Sequence, residues 1–188
     1  MGTNLNRLTP LVTKLAIIPF VFLSGGGCAG QQIQASDSVE GETQVVGWVE
    51  NGKIAGIEEE IKFKLDTGAT TTSINAEIIE QPNADTESGG MIKFRYLDGE
   101  AVSRVYELPV VRWVKIESRT QDYIRRPVVQ MKMCVAGRWI ESEVNLSDRD
   151  DFNYSVLVGR NMLSKGKLAV DSAQTFTQEP TCPAEEGS

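Results

Sequence analysis

From residue 45 onward, apolar and polar positions alternate along much of the chain with a period of two, the period of strands. Val45-Val46-Gly47-Trp48-Val49-Glu50 is β-branched and aromatic, and the Asn51-Gly52 that follows it predicts a hairpin turn. Ile61-Lys62-Phe63-Lys64-Leu65 alternates strictly, with Ile61, Phe63 and Leu65 on one face. Residues 91–97 and 100–105 flank Asp98-Gly99 as a second hairpin, and residues 127–135 and 139–146 flank Ala136-Gly137 as a third. Residues 108–116 predict a further strand, with Pro109 marking an edge or a start. Two short apolar runs, 154–158 and 168–170, complete the strand set. Helical spacing is scarce, limited to residues 73–80 and a short turn over 160–163. Many short strands separated by Gly and Asp turns predict an all-β barrel with one or two short helices.

The first thirty residues follow a different pattern. Arg7 and Lys14 precede Leu15-Ala16-Ile17-Ile18-Pro19-Phe20-Val21-Phe22-Leu23, an apolar run too short to span a bilayer. Ser24-Gly25-Gly26-Gly27 and Cys28 follow. A basic start, a short apolar core and small residues make a secretory signal. Ending at a cysteine, the segment resembles a bacterial lipoprotein signal, although Gly25 stands where such signals usually have Leu. This predicts a signal peptide over 1–27, lipidation at Cys28 and a periplasmic protein anchored to a membrane, the outer one being favoured, with plain secretion to the periplasm as the alternative. Residues 28–43 are Gln-, Ser- and Glu-rich and read as a flexible tether. Residues 44–177 form the folded domain, and the tail 178–188 is expected to be disordered. With Cys28 lipidated, Cys134 and Cys182 are left as an even pair in an oxidising compartment, either bonded to each other or present as two free thiols.

Composition narrows the chemistry. The 188 residues hold 19 Lys and Arg, 26 Asp and Glu, and no His, for a formal charge of −7. An acidic chain without a basic block is not built to bind nucleic acid. Without histidine there is no Ser-His-Asp triad, no Cys-His dyad and no histidine zinc site. No Gly-rich phosphate loop is present, so no ATP site is expected. Asp148, Asp150 and Asp151 form a dense acid cluster, read as a solvated turn in preference to a calcium site. Neither a metal nor another cofactor is expected.

Two short segments carry the candidate chemistry. Asp66-Thr67-Gly68-Ala69 directly follows the 61–65 strand. Gly68 lets the chain turn tightly against the carboxylate, and the Thr hydroxyl can lock the turn. Val158-Gly159-Arg160-Asn161-Met162-Leu163 is the second segment, an apolar strand ending in a glycine that lets it pass close behind a loop. Together they resemble the two signature segments of retropepsins, the aspartic proteases of retroviruses. Gly47-Trp48-Val49-Glu50, Lys64 to Ala69 with Thr72, Ser73 and Ala76, Arg126-Pro127-Val128-Val129, Leu146-Ser147-Asp148-Arg149, Leu157 to Arg160 and Val170-Asp171 are similar to a bacterial family over about residues 45–176. That family is one of retropepsin-like aspartic endopeptidases that also carries the label ATP-dependent zinc protease.

The resemblance implies a retropepsin-like acid protease barrel, one lobe per chain, acting on a peptide or protein substrate. It implies Asp66 as the catalytic acid, with Thr67 locking two loops together across a dimer, Gly68 offering backbone to substrate and Ala69 lining the cleft. Gly159, Arg160 and Asn161 form the supporting turn. Aspartic chemistry needs two carboxylates sharing a proton. The chain has one Asp-Thr-Gly, so a homodimer with Asp66 from each copy is expected, with Asp171 in Asp-Ser-Ala as the weaker second candidate. Retroviral enzymes pair the Arg of Gly-Arg-Asn with an acid shortly after the Ala. Thr70, Thr71 and Thr72 occupy that stretch here, so Arg160 must find another partner, either a backbone carbonyl or an acid elsewhere. The hairpin at Asp98-Gly99 is the first choice for a substrate-covering flap, and the one at Gly137 the second. Trp48, Trp113 and Trp139 are expected in the core or at its rim. A non-catalytic peptide-binding module or structural lipoprotein on the same fold is the alternative function.

Overall fold

The computed structural model describes residues 42–82, 89–99, 102–117 and 123–184. The signal segment, Cys28 and all but the last two residues of the tether lie outside the described residues, as do residues 185–188. The strands are β1 (Gln44–Gly47), β2 (Val49–Ile54), β3 (Ile61–Leu65), β4 (Thr72–Glu80), β5 (Met91–Asp98), β6 (Val102–Pro109), β7 (Arg112–Glu117), β8 (Tyr123–Val135), β9 (Arg138–Ser147), β10 (Val156–Val158) and β11 (Leu168–Asp171). One short helix, α1 (Arg160–Lys165), precedes β11. The chain is all-β, as its periodicity predicts, and no helix among the described residues is long and apolar enough to cross a membrane.

The strand pairings return on themselves. In order, β10, β3, β2, β8, β9 and β4 are neighbours, and β4 pairs β10 again. One row across this ring is Phe63, Val156, Ile74 and Leu146, all buried. A second, with Thr72, Val144 and Val129, is fully buried. Strand periodicity sends alternate residues to the opposite face. There Lys64, Leu157, Ser73, Asn145, Val128 and Arg112 form a row across six strands. Burying the apolar rows stabilises the domain by roughly 2 kcal/mol for each large aliphatic or aromatic side chain.

Three local expectations are corrected. Residues 73–80 form strand β4, not a helix. Ile74, Ala76 and Ile78 recur at period two against the core, and the segment has partners on both sides, β9 and β10 first and then β5. Pairing on two edges outweighs the local helical spacing. Asn51-Gly52 is not a turn but lies inside β2, with Gly52 opposite both Ile61 and Val135. A Cβ at Gly52 would sit 2.5 Å from the Phe63 ring and 2.6 Å from the Cys134 carbonyl oxygen. The glycine there answers close packing, and the chain reverses only after Ile54, where Gly56 takes φ +80°. The 108–116 run is cut in two: β6 ends at Pro109 and β7 begins at Arg112. Between them Val110 is buried and bonds Gly90, while the Val111 N–H bonds the Val128 carbonyl. The other two hairpins turn where expected, at Gly99 (φ +60°) and at Ala136-Gly137 (φ 51° and 75°).

The two ends of the domain are tied together. β1 and β11 pair in parallel within the one chain. Glu50 is fully buried, and its carboxylate accepts from Gly47 N (2.6 Å), Thr177 N (3.0 Å), Thr177 Oγ1 (2.6 Å) and Gln178 N (3.2 Å). These bonds satisfy a charge that would otherwise be costly to bury. The tail expected to be disordered from residue 178 is anchored as far as Pro183. Cys182 is disulfide-bonded to the buried Cys134, and Trp139 Nε1 donates to the Pro183 carbonyl at 2.8 Å. The bridge closes a loop of sequence separation 48, a constraint on the unfolded chain that the loop-entropy relation sets at about 4 kcal/mol. Reduction, or Cys182→Ser, is expected to lower the unfolding free energy by about 2–4 kcal/mol, read as an earlier urea midpoint. An unchanged midpoint would mean that the strap of hydrogen bonds to Glu50 holds the tail without the disulfide.

Candidate active site

Asp66 stands at the end of β3, where the strand leaves the ring. Its N–H donates to the Val158 carbonyl at 2.8 Å, so the base of the loop is locked to β10. Gly68 N donates to Asp66 Oδ1 at 2.9 Å, and Ala69 N donates to the Asp66 carbonyl at 3.3 Å. One carboxylate oxygen is thus fixed by the loop's own backbone. The other, Oδ2, lies 3.8 Å from Lys64 Nζ, and the Asp66 side chain keeps 30% of its exposure. Thr67 and Gly68 are exposed and Ala69 is half-buried.

The Gly-Arg-Asn turn backs this loop at three levels. Gly159 passes so near that a Cβ would lie 2.7 Å from the Thr71 carbonyl carbon and 2.9 Å from Thr72 N. Backbone atoms cannot retreat from such a contact, so only glycine fits. Arg160 N donates to the Ala69 carbonyl at 2.9 Å and Asn161 N to the Thr70 carbonyl at 3.1 Å. The Arg160 guanidinium donates to the carbonyls of Thr67 (2.9 Å) and Gly68 (3.1 Å) and to Thr70 Oγ1 (3.0 Å). Backbone carbonyls therefore take the place of the missing acid.

Asn161 uses its whole hydrogen-bonding capacity. Its Oδ1 accepts from Thr72 N (2.9 Å) and Thr72 Oγ1 (3.0 Å), and its Nδ2 donates to Ser142 Oγ (2.9 Å) and the Glu143 carbonyl (2.7 Å). Thr72 Oγ1 in turn accepts from Gly159 N at 3.0 Å. Loop, helix and β9 are joined through two side chains. Thr72, which the sequence shows only as part of the family resemblance, and Ser142, which carries no sequence signal, complete this lock. A Thr at the start of a strand has no signature until its partner is known.

Arg149 ends the 146–149 segment of the family resemblance, a stretch whose sequence suggests a brace for the fold. It is buried, donating from Nη1 to Ser73 Oγ (3.1 Å) and from Nε to the Tyr154 carbonyl (3.2 Å), with its guanidinium 4.5 Å from the Phe152 ring centre. Burial, and then the neighbouring Arg126, lower its pKa from the ordinary arginine value, while the Asp66 carboxylate acts in the opposite sense. Arg149 is thus the buried cation whose field reaches Asp66.

Other candidates fall elsewhere. Asp171 lies on β11 opposite Gly47 and caps its own turn: Ala173 N (2.8 Å) and Gln174 Nε2 (2.6 Å) donate to its two oxygens, and the bond from Ala173 first, then that from Gln174, holds its carboxyl below the ordinary value. Asp148 and Asp150 form a turn, with Asp150 N donating to Asp148 Oδ1 (3.0 Å) and Asn75 Nδ2 donating to Asp150 Oδ1 (2.8 Å). Among the described residues no group of three or more His, Cys, Asp or Glu is placed to hold a metal ion. Trp113 is partly buried against the core, Trp139 bonds the tail, and Trp48 meets Tyr154 edge-on with ring centres 6.2 Å apart.

The hairpin favoured as a flap is tied down away from Asp66. Tyr106 OH donates to the Ala55 carbonyl at 2.8 Å, and Arg104 donates to the Gly56 carbonyl. The buried Tyr96 OH bonds Ser155 Oγ at 2.9 Å, and Ser155 Oγ donates to Asp98 at 2.8 Å. The Ala136-Gly137 turn sits beside Val135, opposite Gly52. The Ala55 and Gly56 anchors and the Ala136-Gly137 turn meet the Gly52–Ile61 end of the β2–β3 pair, about 17 Å along β3 from Asp66, while Ser155 directly precedes β10.

A family model described as the RimB-like retropepsin-like aspartic endopeptidase matches residues 45–181. No curated protein matches the chain. Among solved structures, the crystal structure of Lpg0085, a DUF785 protein of unknown function from Legionella pneumophila subsp. pneumophila str. Philadelphia 1, is 29% identical. It superposes with a TM-score of 0.60 over 73% of this chain and 100% of that one. With a family match running through the Asp66 loop and the Gly-Arg-Asn turn that backs it, this chain belongs to the RimB-like family of retropepsin-like aspartic endopeptidases.

Proposed function

We propose that the protein is an aspartic endopeptidase that hydrolyses peptide bonds at a site shared by two copies of the chain, held on the periplasmic face of a bacterial membrane through lipid at Cys28. The observation that carries this reading is the half-site at Asp66. The carboxylate is rigid at Oδ1 through Gly68 and open at Oδ2, and no hydrogen bond joins it to a second carboxyl among the described residues. A two-fold axis beside the exposed Thr67 brings a second Asp66 opposite the first.

In such a pair the two carboxylates share one proton, because both cannot ionise cheaply at close range. The ionised carboxylate takes a proton from water as the water oxygen attacks the scissile carbonyl. The protonated carboxyl gives its proton to the carbonyl oxygen. The tetrahedral intermediate then gives one hydroxyl proton back to the carboxylate pair, the pair protonates the nitrogen, and the amine leaves as the carbon–nitrogen bond breaks; no covalent enzyme intermediate forms.

The β7–β8 hairpin takes the flap role in this reading. It falls between the Asp-Thr-Gly and Gly-Arg-Asn segments, and among the described residues β7 is the one strand that pairs with residues 123–126.

Each copy folds on its own in this account. β1 and β11 already pair within the chain, so the dimer forms by docking finished subunits and not by exchanging terminal strands.

A peptide library incubated with the protein is expected to be cleaved, and Asp66→Asn to reduce the rate by about a thousandfold or more. The Asn carbonyl oxygen can still accept from Gly68, so the fold should be kept. Cleavage that survives Asp66→Asn would exclude the aspartic mechanism, and no cleavage by either form would favour a peptide-binding role. Gly159→Ala forces a methyl against the Thr71 backbone. It is expected to cost about 1–3 kcal/mol of stability and, by displacing the loop, about a hundredfold in kcat/KM. Wild-type kinetics in Gly159→Ala would show that the turn does not set the position of Asp66.

A further inference from the structure

Strand β3 carries a second charged residue on the face that presents Asp66. Ile61, Phe63 and Leu65 point into the core, so Lys62 and Lys64 share the opposite face with the carboxylate that comes after them. Lys62 is exposed, whereas Lys64 is half-buried in the middle of the sheet, with Val49 and Leu157 as its Cα partners on either side. Its Nζ lies 3.8 Å from Asp66 Oδ2, and the ammonium has no other partner among the described residues.

The choice of oxygen is informative. Oδ1 is already held by Gly68 N at 2.9 Å, so the ammonium stands beside the oxygen left for water and substrate. At 3.8 Å the pair is an ion pair without a hydrogen bond, and the N–H donors of Lys64 are not committed to Asp66. Arg149, the other cation whose field reaches Asp66, is differently placed: it is buried and donates to Ser73 Oγ and the Tyr154 carbonyl. A half-exposed ion pair adds little to stability, so the value of Lys64 lies in where its charge stands.

We propose that Lys64 is a further catalytic residue, whose ammonium donates a hydrogen bond to the oxygen that becomes negative when water adds to the scissile carbonyl. The inference rests on the aspartic-protease reading of Asp66. During the step the bond from water oxygen to carbonyl carbon forms, and the π electrons of the carbonyl move to its oxygen, where Lys64 stabilises the developing charge until the protonated Asp66 carboxyl delivers its proton there. The water proton goes to an Asp66 carboxylate, and Lys64 keeps its own proton throughout. On collapse the carbon–nitrogen bond breaks, the amine leaves with a proton from the carboxyl pair, and one hydroxyl of the intermediate returns a proton to the pair as the new carboxyl group forms. A fixed donor aimed at developing charge favours the transition state over the bound substrate.

The test compares the wild-type chain, Lys64→Met, Lys64→Arg and Asp66→Asn on one cleaved peptide, with urea unfolding of each. Lys64→Met is expected to lower kcat by about a hundredfold or more with KM changed less than about threefold, and to leave the unfolding midpoint in place. Lys64→Arg, which keeps the charge, is expected to recover at least about a tenfold part of that loss. A kcat for Lys64→Met within about twofold of wild type, or a Lys64→Arg no better than Lys64→Met, would overturn the role of Lys64 while leaving Asp66 as the catalytic acid. Cleavage by Asp66→Asn at the wild-type rate, or none by the wild-type chain, would instead overturn the reading beneath it and this inference with it.

Discussion

Thr72 and Asn161 form the joint on which the site depends. The Asn161 side chain accepts twice from Thr72 and donates twice to β9, while the Thr72 hydroxyl accepts from Gly159. Every polar atom of the joint is satisfied, and Thr72 itself is fully buried. In such a setting a lost partner costs the full desolvation of the group left behind, about 1–3 kcal/mol. The joint fixes three things at once: the depth of Gly159 behind the loop, the start of α1, and the exit of β4 from the Asp66 turn. Arg160 then closes the loop from outside by holding the carbonyls of Thr67 and Gly68. Asp66 is presented on rigid backbone because the chain behind it has no room to move.

The same physical reasons explain what the sequence discloses and what it hides. Asp66-Thr67-Gly68 and Gly159-Arg160-Asn161 are legible because their chemistry is local: a carboxylate held by a nearby N–H, a glycine forced by close approach, a guanidinium that must find oxygens. The structure brings the two segments together, and Arg160 finds backbone carbonyls where Thr70 to Thr72 offer it no acid. Strict alternation over 61–65 and positive-φ turns at Gly99 and Gly137 are likewise local signals. Asn51-Gly52 and residues 73–80 misled for the opposite reason. Gly52 is required by the Phe63 ring and the Cys134 carbonyl, neither of which is its neighbour in sequence. Residues 73–80 become a strand because β9, β10 and β5 claim their backbone. Glu50 shows the same limit. A buried carboxylate that straps residues 177 and 178 cannot be told from a surface glutamate until the chain has returned.

The two pairs at the domain's ends bear on how a shared site would assemble. β1 with β11, and Glu50 with the 177–178 segment, close the terminal sheet inside one chain. The disulfide from Cys134 to Cys182 secures the chain beyond residue 178. In the proposed dimer, then, contact between copies falls to the exposed Thr67 loop and its surroundings, and association becomes a step separate from folding. A lipid anchor at Cys28 would raise the encounter rate by confining copies to one surface, so that membrane residence favours the paired form.

A mixing experiment tests the shared site most directly. A fixed amount of wild-type chain is titrated with excess Asp66→Asn chain, and cleavage is followed after the two have equilibrated. If one active site needs Asp66 from both copies, mixed pairs are inactive and the rate falls towards zero as the variant comes to dominate. A rate that stays at its starting value through a large excess of variant, with mixed pairs demonstrated by cross-linking, would mean that one Asp66 suffices and would contradict the account.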